Sequence, residues 1–114
     1  MLILETLTPE QIDAMPAGRE MDALVAKQVM DWPCFVSEDG NAILEHSDDP
    51  CPKFSTDIAA AWAVVDMLHF SIISQYPIGW LVDTRSNTRL PFVEVYANTA
   101  PLAICRAALK AVIR

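Results

Sequence analysis

Residues 78–114 read "IGWLVDTRSNTRLPFVEVYANTAPLAICRAALKAVIR". Trp80, Leu81 and Val82 lead into the polar run "DTRSNTR". Phe92, Val93, Glu94, Val95 and Tyr96 then supply the aromatic and β-branched residues that suit a pleated, half-buried surface. Two such runs around a polar turn predict an antiparallel hairpin. Asn98 or Thr99 is placed to cap a following helix, with Pro101 tolerated in its first turn. Leu102, Cys105, Leu109 and Val112 recur at helical spacing as its buried stripe, while Arg106, Lys110 and Arg114 stand four apart on one face.

Upstream, "TPEQIDAM" carries a helix-start signal: Thr8 as cap, Pro9 at the first helical position, Glu10 and Gln11 in the first turn. "AGREMDALVAKQVMDW" predicts a longer helix. Met21, Leu24, Val25 and Val29 form its apolar side, and Arg19, Glu20, Asp22, Lys27 and Gln28 its wet side, with Pro33 as the stop. "CFVSEDGNAILEH" predicts a hairpin around Asp39-Gly40. "STDIAAAWAVVDMLHF" is the clearest helix, with Thr56 and Asp57 at its start and Ile58, Ala61, Trp62, Val65 and Leu68 on one apolar face. The element order is helix, helix, two strands, helix, two strands, helix. That order predicts an α+β fold over residues 1–114 as a single domain, a small sandwich of helices packed on a short antiparallel sheet of about four strands.

The apolar fraction of 53% and charged fraction of 20% belong to a globular chain. No apolar run reaches the ~20 residues that span a bilayer, so no membrane partner and a soluble, cytoplasmic protein are expected. Three cysteines, Cys34, Cys51 and Cys105, are expected to be reduced thiols. The net charge is -7, but it is unevenly placed: residues 1–66 carry -10 and residues 67–114 carry +3. The overall sign argues against binding long nucleic acid, whereas the C-terminal third is able to receive an anion.

"AMPAGREMDALVAKQVMDW", "FSTDIAAAWAVV" and "ANTAPLAICRAALKAV" together resemble the small phage proteins grouped as the phage ABA-sandwich domain family. The three blocks occupy both ends and the middle of the chain. The resemblance implies a helix–sheet–helix sandwich encoded by phages or prophages. Two places depart from the family pattern: Asp31 stands before Trp32 where glycine is expected, and "CPKFS" stands where "PPYS" is usual. A narrower resemblance, in size and α+β character, is to the Thoeris anti-defence 1 proteins. It implies binding of glycocyclic ADP-ribose and cyclic oligonucleotides, without cleavage, in pockets at subunit interfaces of a homo-oligomer. No binding residue is carried over from those proteins.

Candidate ligand residues rest on chemistry alone. Arg106 offers a planar fork of donors for a phosphate and lies mid-helix, where the helix dipole explains it less well than it explains Arg114. Lys110 and Arg114 extend the row, and Arg85 and Arg89 lie in or beside the preceding turn. Trp80, Phe92 or Tyr96 is available to stack on a base, and Asn98 completes the candidate set. The competing reading stays open: cations near a helix C-terminus complement its dipole, the acidic half supplies them with partners, and strand aromatics usually belong to the core. "FSIISQYPIGWL" gathers Phe70, Ile72, Ile73, Tyr76, Ile78 and Trp80 as a candidate self-association surface.

Catalysis is not expected. Capping accounts for Ser55, Thr56 and Asp57, and no phosphate-loop or nucleophile-elbow motif is present. Cys34, His46, Asp48, Asp49 and Cys51 lack the paired spacing of a zinc site, so neither metal nor cofactor is expected. The sequence therefore favours a non-enzymatic phage anti-defence protein that sequesters a nucleotide second messenger. The alternative is a phage accessory protein that binds a host or phage protein through its acidic N-terminal half.

Overall fold

The computed structural model describes residues 8–32, 34–36, 42–44, 51–68, 72–76, 79–84, 89 and 92–112, with backbone alone for 34–36, 42–44 and 72–76. Helix α1 spans Pro9–Ala14. Thr8 Oγ1 accepts from the Gln11 N–H at 3.2 Å, and Gln11 Oε1 accepts from the Thr8 N–H at 2.9 Å. This reciprocal box satisfies two donors that a helix start otherwise leaves open. Helix α2, Arg19–Gln28, buries Met21, Val25 and Ala26. It ends before Pro33. The Met30 N–H reaches back to the Val25 carbonyl at 3.1 Å and the Trp32 N–H to the Ala26 carbonyl at 2.7 Å, which requires Asp31 to turn with φ 59.

Strands β1 (Cys34–Val36) and β2 (Ala42–Leu44) pair antiparallel with Val36 opposite Ala42. The expected hairpin is present, and its turn lies outside the described residues. Helix α3 spans Ile58–Leu68 and is capped by Asp57, whose Oδ1 accepts from the Ala59 N–H at 3.0 Å. Strands β3 (Ile72–Tyr76), β4 (Gly79–Asp83) and β5 (Glu94–Ala97) form an antiparallel sheet with β4 in the centre. The β4–β5 hairpin read from residues 80–96 has Leu81 opposite Tyr96 and Val82 opposite Val95. Thr84 prolongs it: its N–H donates to the Val93 carbonyl at 3.1 Å, and its Oγ1 accepts from the Val93 N–H at 2.9 Å. Helix α4, Ala100–Val112, follows directly.

Helix α4 is the organising element. It packs on β4 and β5, on α3, and on α1 and α2, while β1 and β2 pack on α2. Ala103, Ala107, Ala108 and Ala111 are buried along it, which lets several neighbours approach one helix closely. Ile104 and Leu109 fill the space between those neighbours and are fully buried with Met21, Val25, Val64 and Val82.

Three expectations are corrected. Among the described residues there are five strands in two sheets, not about four in one, because residues 72–76 form a strand that the sequence pattern did not reveal. The contacts among described residues run from the three-stranded sheet through α4 and α2 to the two-stranded sheet, so helices lie between sheets. The apolar face of α3 is also divided. Ala61, Val64 and Val65 are buried, but Ile58 and Trp62 are half exposed. Of the proposed self-association stretch, Phe70 and Ile78 and the side chains of Ile72, Ile73 and Tyr76 lie outside the described residues.

Candidate functional site

The cations of α4 are occupied by the chain itself. Arg106 Nη2 donates to the Met15 carbonyl at 2.9 Å. Met15 is the C-cap of α1, so the guanidinium meets the negative end of that helix. Arg106 Nε is buried and makes no hydrogen bond among the described residues. Lys110 Nζ lies 3.1 and 3.2 Å from the two carboxylate oxygens of Asp13, also on α1. The two side chains therefore bind α1 to α4. Arg114 and Arg85 lie outside the described residues. Arg89 is an exposed turn residue, and Phe92 is 63% exposed rather than core.

The other two sequence candidates, Trp80 and Asn98, come together elsewhere. They line a cleft of about 420 Å³ with Ile58 and Trp62 of α3 and with Thr99, Ala100 and Pro101 at the start of α4. The geometry follows from the hairpin. Trp80 pairs with Ala97, which puts it beside the β5–α4 junction. Gly79 permits the approach: it has φ 151, and a Cβ there would collide with the Ala97 carbonyl oxygen. From the other side, α3 packs on α4 and carries Ile58 and Trp62 on successive turns, at a four-residue spacing that stacks them along one face. Neither Trp62 nor Trp80 touches another aromatic ring among the described residues. Pockets that bind small ligands have this character: a few hundred Å³, mostly apolar walls and a small number of polar groups.

The start of α4 adds little charge to the cleft. Thr99, not Asn98, is the cap, and its Oγ1 accepts from the Leu102 N–H at 3.4 Å. The Ala103 N–H is bonded to the Thr99 carbonyl at 3.1 Å, and Pro101 has no N–H. Few amides of the first turn remain for an anion. Sequence reading missed Ile58, Trp62, Ala100 and Pro101 because each fits an ordinary structural role, core face or helix start.

A phage ABA sandwich domain model matches residues 23–109. The chain belongs to the phage ABA sandwich domain family. This ABA-sandwich protein is also similar to a phage protein from Bacillus cereus ATCC 14579, whose crystal structure was determined at 2.0 Å. The TM-score is 0.67 at 26% identity, with 87% of this chain and 94% of that chain covered. No curated protein matches the chain. No helix among the described residues is long and apolar enough to cross a membrane. Every cleft residue lies inside the segment that matches the family. Asp13 and Met15, which hold the α4 cations, lie before it.

Two stretches singled out in the sequence, Asp31-Trp32 and residues 51–55, meet through a ring contact. Trp32, after Asp31, packs its ring 6.1 Å from that of Phe54 at an interplanar angle of 40°. The next residue, Ser55, is fully buried and joins a polar node. Its N–H and Oγ donate to Asp22 Oδ1 at 2.8 and 2.6 Å, and its Oγ accepts from the Gly18 N–H at 2.9 Å. Asp22 is thus buried, not on the wet side of α2. Burial pushes its carboxyl above the usual 3.8, opposed by the hydroxyl and backbone bonds from Ser55. Burial likewise pushes the Cys105 thiol up, and the nearby Asp22 charge adds to the effect. Ser55 and Cys105 are fully buried, and the buried Cys51 thiol donates to the Asp22 carbonyl at 3.5 Å.

Proposed function

We propose that the protein is a phage anti-defence protein that sequesters a nucleotide immune signal, glycocyclic ADP-ribose or a cyclic oligonucleotide, without cleaving it, in the cytoplasm of the infected cell. The observation that carries this reading is the cleft between α3 and the start of α4. Two tryptophans, Trp62 half exposed and Trp80 partly buried, and one side-chain amide line a volume suited to a nucleoside. Support also comes from the location of the whole cleft within the family-matched segment. Ile58 and Trp62 are half exposed at its rim, and a second copy of the chain closes that side in a homo-oligomer. The binding role falls to Trp62, Trp80 and Asn98 rather than to Arg106 and Lys110, because α1 already engages the two cations.

The test is a thermal-unfolding panel of cyclic ADP-ribose isomers and cyclic di- and trinucleotides. A true ligand at one hundred times its dissociation constant adds ~2.7 kcal/mol to the stability. Heating the complex and recovering intact nucleotide supports sequestration, and recovery of a cleaved product contradicts it. A second reading rests on Glu10, Glu20, Asp31, Asp57 and Asp66, which are all exposed in the acidic half. A basic protein partner bound there would dissociate as salt is raised.

A further inference from the structure

We infer that the cleft at the start of α4 recognises the uncharged purine nucleoside portion of its ligand and leaves the phosphates in solvent. This rests on the proposed nucleotide-binding role of the same cleft and specifies which part of the ligand is held. Among the described residues, none that lines the cleft is charged. Of the first-turn amides that would make a helix start attractive to an anion, Thr99 Oγ1 takes the N–H of Leu102, and Pro101 has none. The nearest conspicuous cations of the same helix, Arg106 and Lys110, are turned to Met15 and Asp13 of α1. A phosphate placed in this cleft would lose its hydration and find little to replace it.

A purine base has the opposite balance. Its faces stack on the indoles of Trp62 and Trp80, and its edge presents the adjacent donor and acceptor that an asparagine amide, here Asn98, matches in both senses. Apolar walls then replace water over the ring, and the ribose faces the opening. Recognition of this kind depends on the base and is insensitive to ionic strength, unlike phosphate-led binding, which weakens steeply with salt.

Tryptophan fluorescence of the full chain tests this with three probes: adenosine, adenosine monophosphate and inorganic pyrophosphate. The inference expects adenosine to quench the emission and to bind within about threefold of the monophosphate, with pyrophosphate inert and added salt without effect. Trp62→Ala, at a half-exposed position, weakens adenosine about tenfold, and Asn98→Leu weakens it without altering the unfolding midpoint. Competition by pyrophosphate, or a monophosphate affinity that far exceeds that of adenosine and falls with salt, overturns the inference. It does so while leaving nucleotide sequestration intact. Adenosine binding with no response to any cyclic nucleotide sinks the sequestration reading and leaves this inference standing. Absence of binding by all probes overturns both.

Discussion

The guanidinium of Arg106 donates to the main-chain carbonyl of Met15 at 2.9 Å, across almost the whole length of the chain. This contact, with the Lys110–Asp13 pair one turn further on, converts what looks like a ligand-binding row into the clamp that holds α1 on α4. Ile12, the residue before Asp13, is fully buried, so the clamp closes over core.

Arg106→Ala therefore lowers the stability of the unliganded protein by about 1–2 kcal/mol, the range for a partly buried hydrogen bond from a charged group. It leaves nucleotide binding unchanged. Lys110→Ala costs ~0.5 kcal/mol, since Asp13 is half exposed and water screens the pair. Urea unfolding of the two variants checks both magnitudes.

Asp22 makes stability depend on pH in an unusual direction for a carboxylate. Its folded-state pKa is raised above 3.8, so in the window above 3.8 the folded protein retains a proton that the unfolded chain has lost. Stability from this group is full below 3.8 and declines as pH rises through that window. Asp22→Asn keeps an oxygen for the Ser55 N–H and hydroxyl but cannot ionise. Its stability relative to the parent should rise with pH upward from 3.8 and then level off, as read by urea unfolding at a series of pH values. Asp22→Ala instead costs about 1–3 kcal/mol, because it strands the buried Ser55 donors.

Gly79→Ala places a methyl against the Ala97 carbonyl oxygen and forces a residue with a side chain to φ 151. A loss of about 2–4 kcal/mol is expected from the clash and the backbone strain together. Calorimetric unfolding should show it, and the tryptophan environment of the cleft should change with it.

Asp31 holds a left-handed conformation, φ 59, at the exit of α2, a backbone region that favours glycine. Asp31→Gly removes the Cβ strain and should stabilise the protein by ~0.5–1 kcal/mol, whereas Asp31→Ala should give no such gain. Unfolding midpoints of the pair measure the difference.

Local chemistry was legible in the sequence wherever the partners were near in the chain. Thr8 and Gln11 announced the capped start of α1, and residues 80–96 announced a hairpin but not its register. The strand 72–76 was hidden because "IISQY" shows apolar residues followed by polar ones instead of alternation. Asp22 was assigned to water on its charge, and its partner Ser55 stands 33 positions away. The cations of α4 were offered as phosphate ligands, with partners in the acidic half as the competing reading, and their actual partners on α1 lie more than 90 positions earlier. Half of the cleft was visible as Trp80 and Asn98. Ile58 and Trp62 were assigned to the core because a helical apolar stripe does not reveal which of its edges the neighbouring helix leaves uncovered.

The most direct test is the ligand-induced rise in unfolding temperature for the parent chain, Trp62→Ala and Arg106→Ala, each measured with the cyclic nucleotide that stabilises the parent most. The cleft account predicts that the rise disappears in Trp62→Ala and persists in Arg106→Ala from a lower starting point. A rise that survives Trp62→Ala and vanishes in Arg106→Ala would place the ligand on the cationic face of α4 and contradict it.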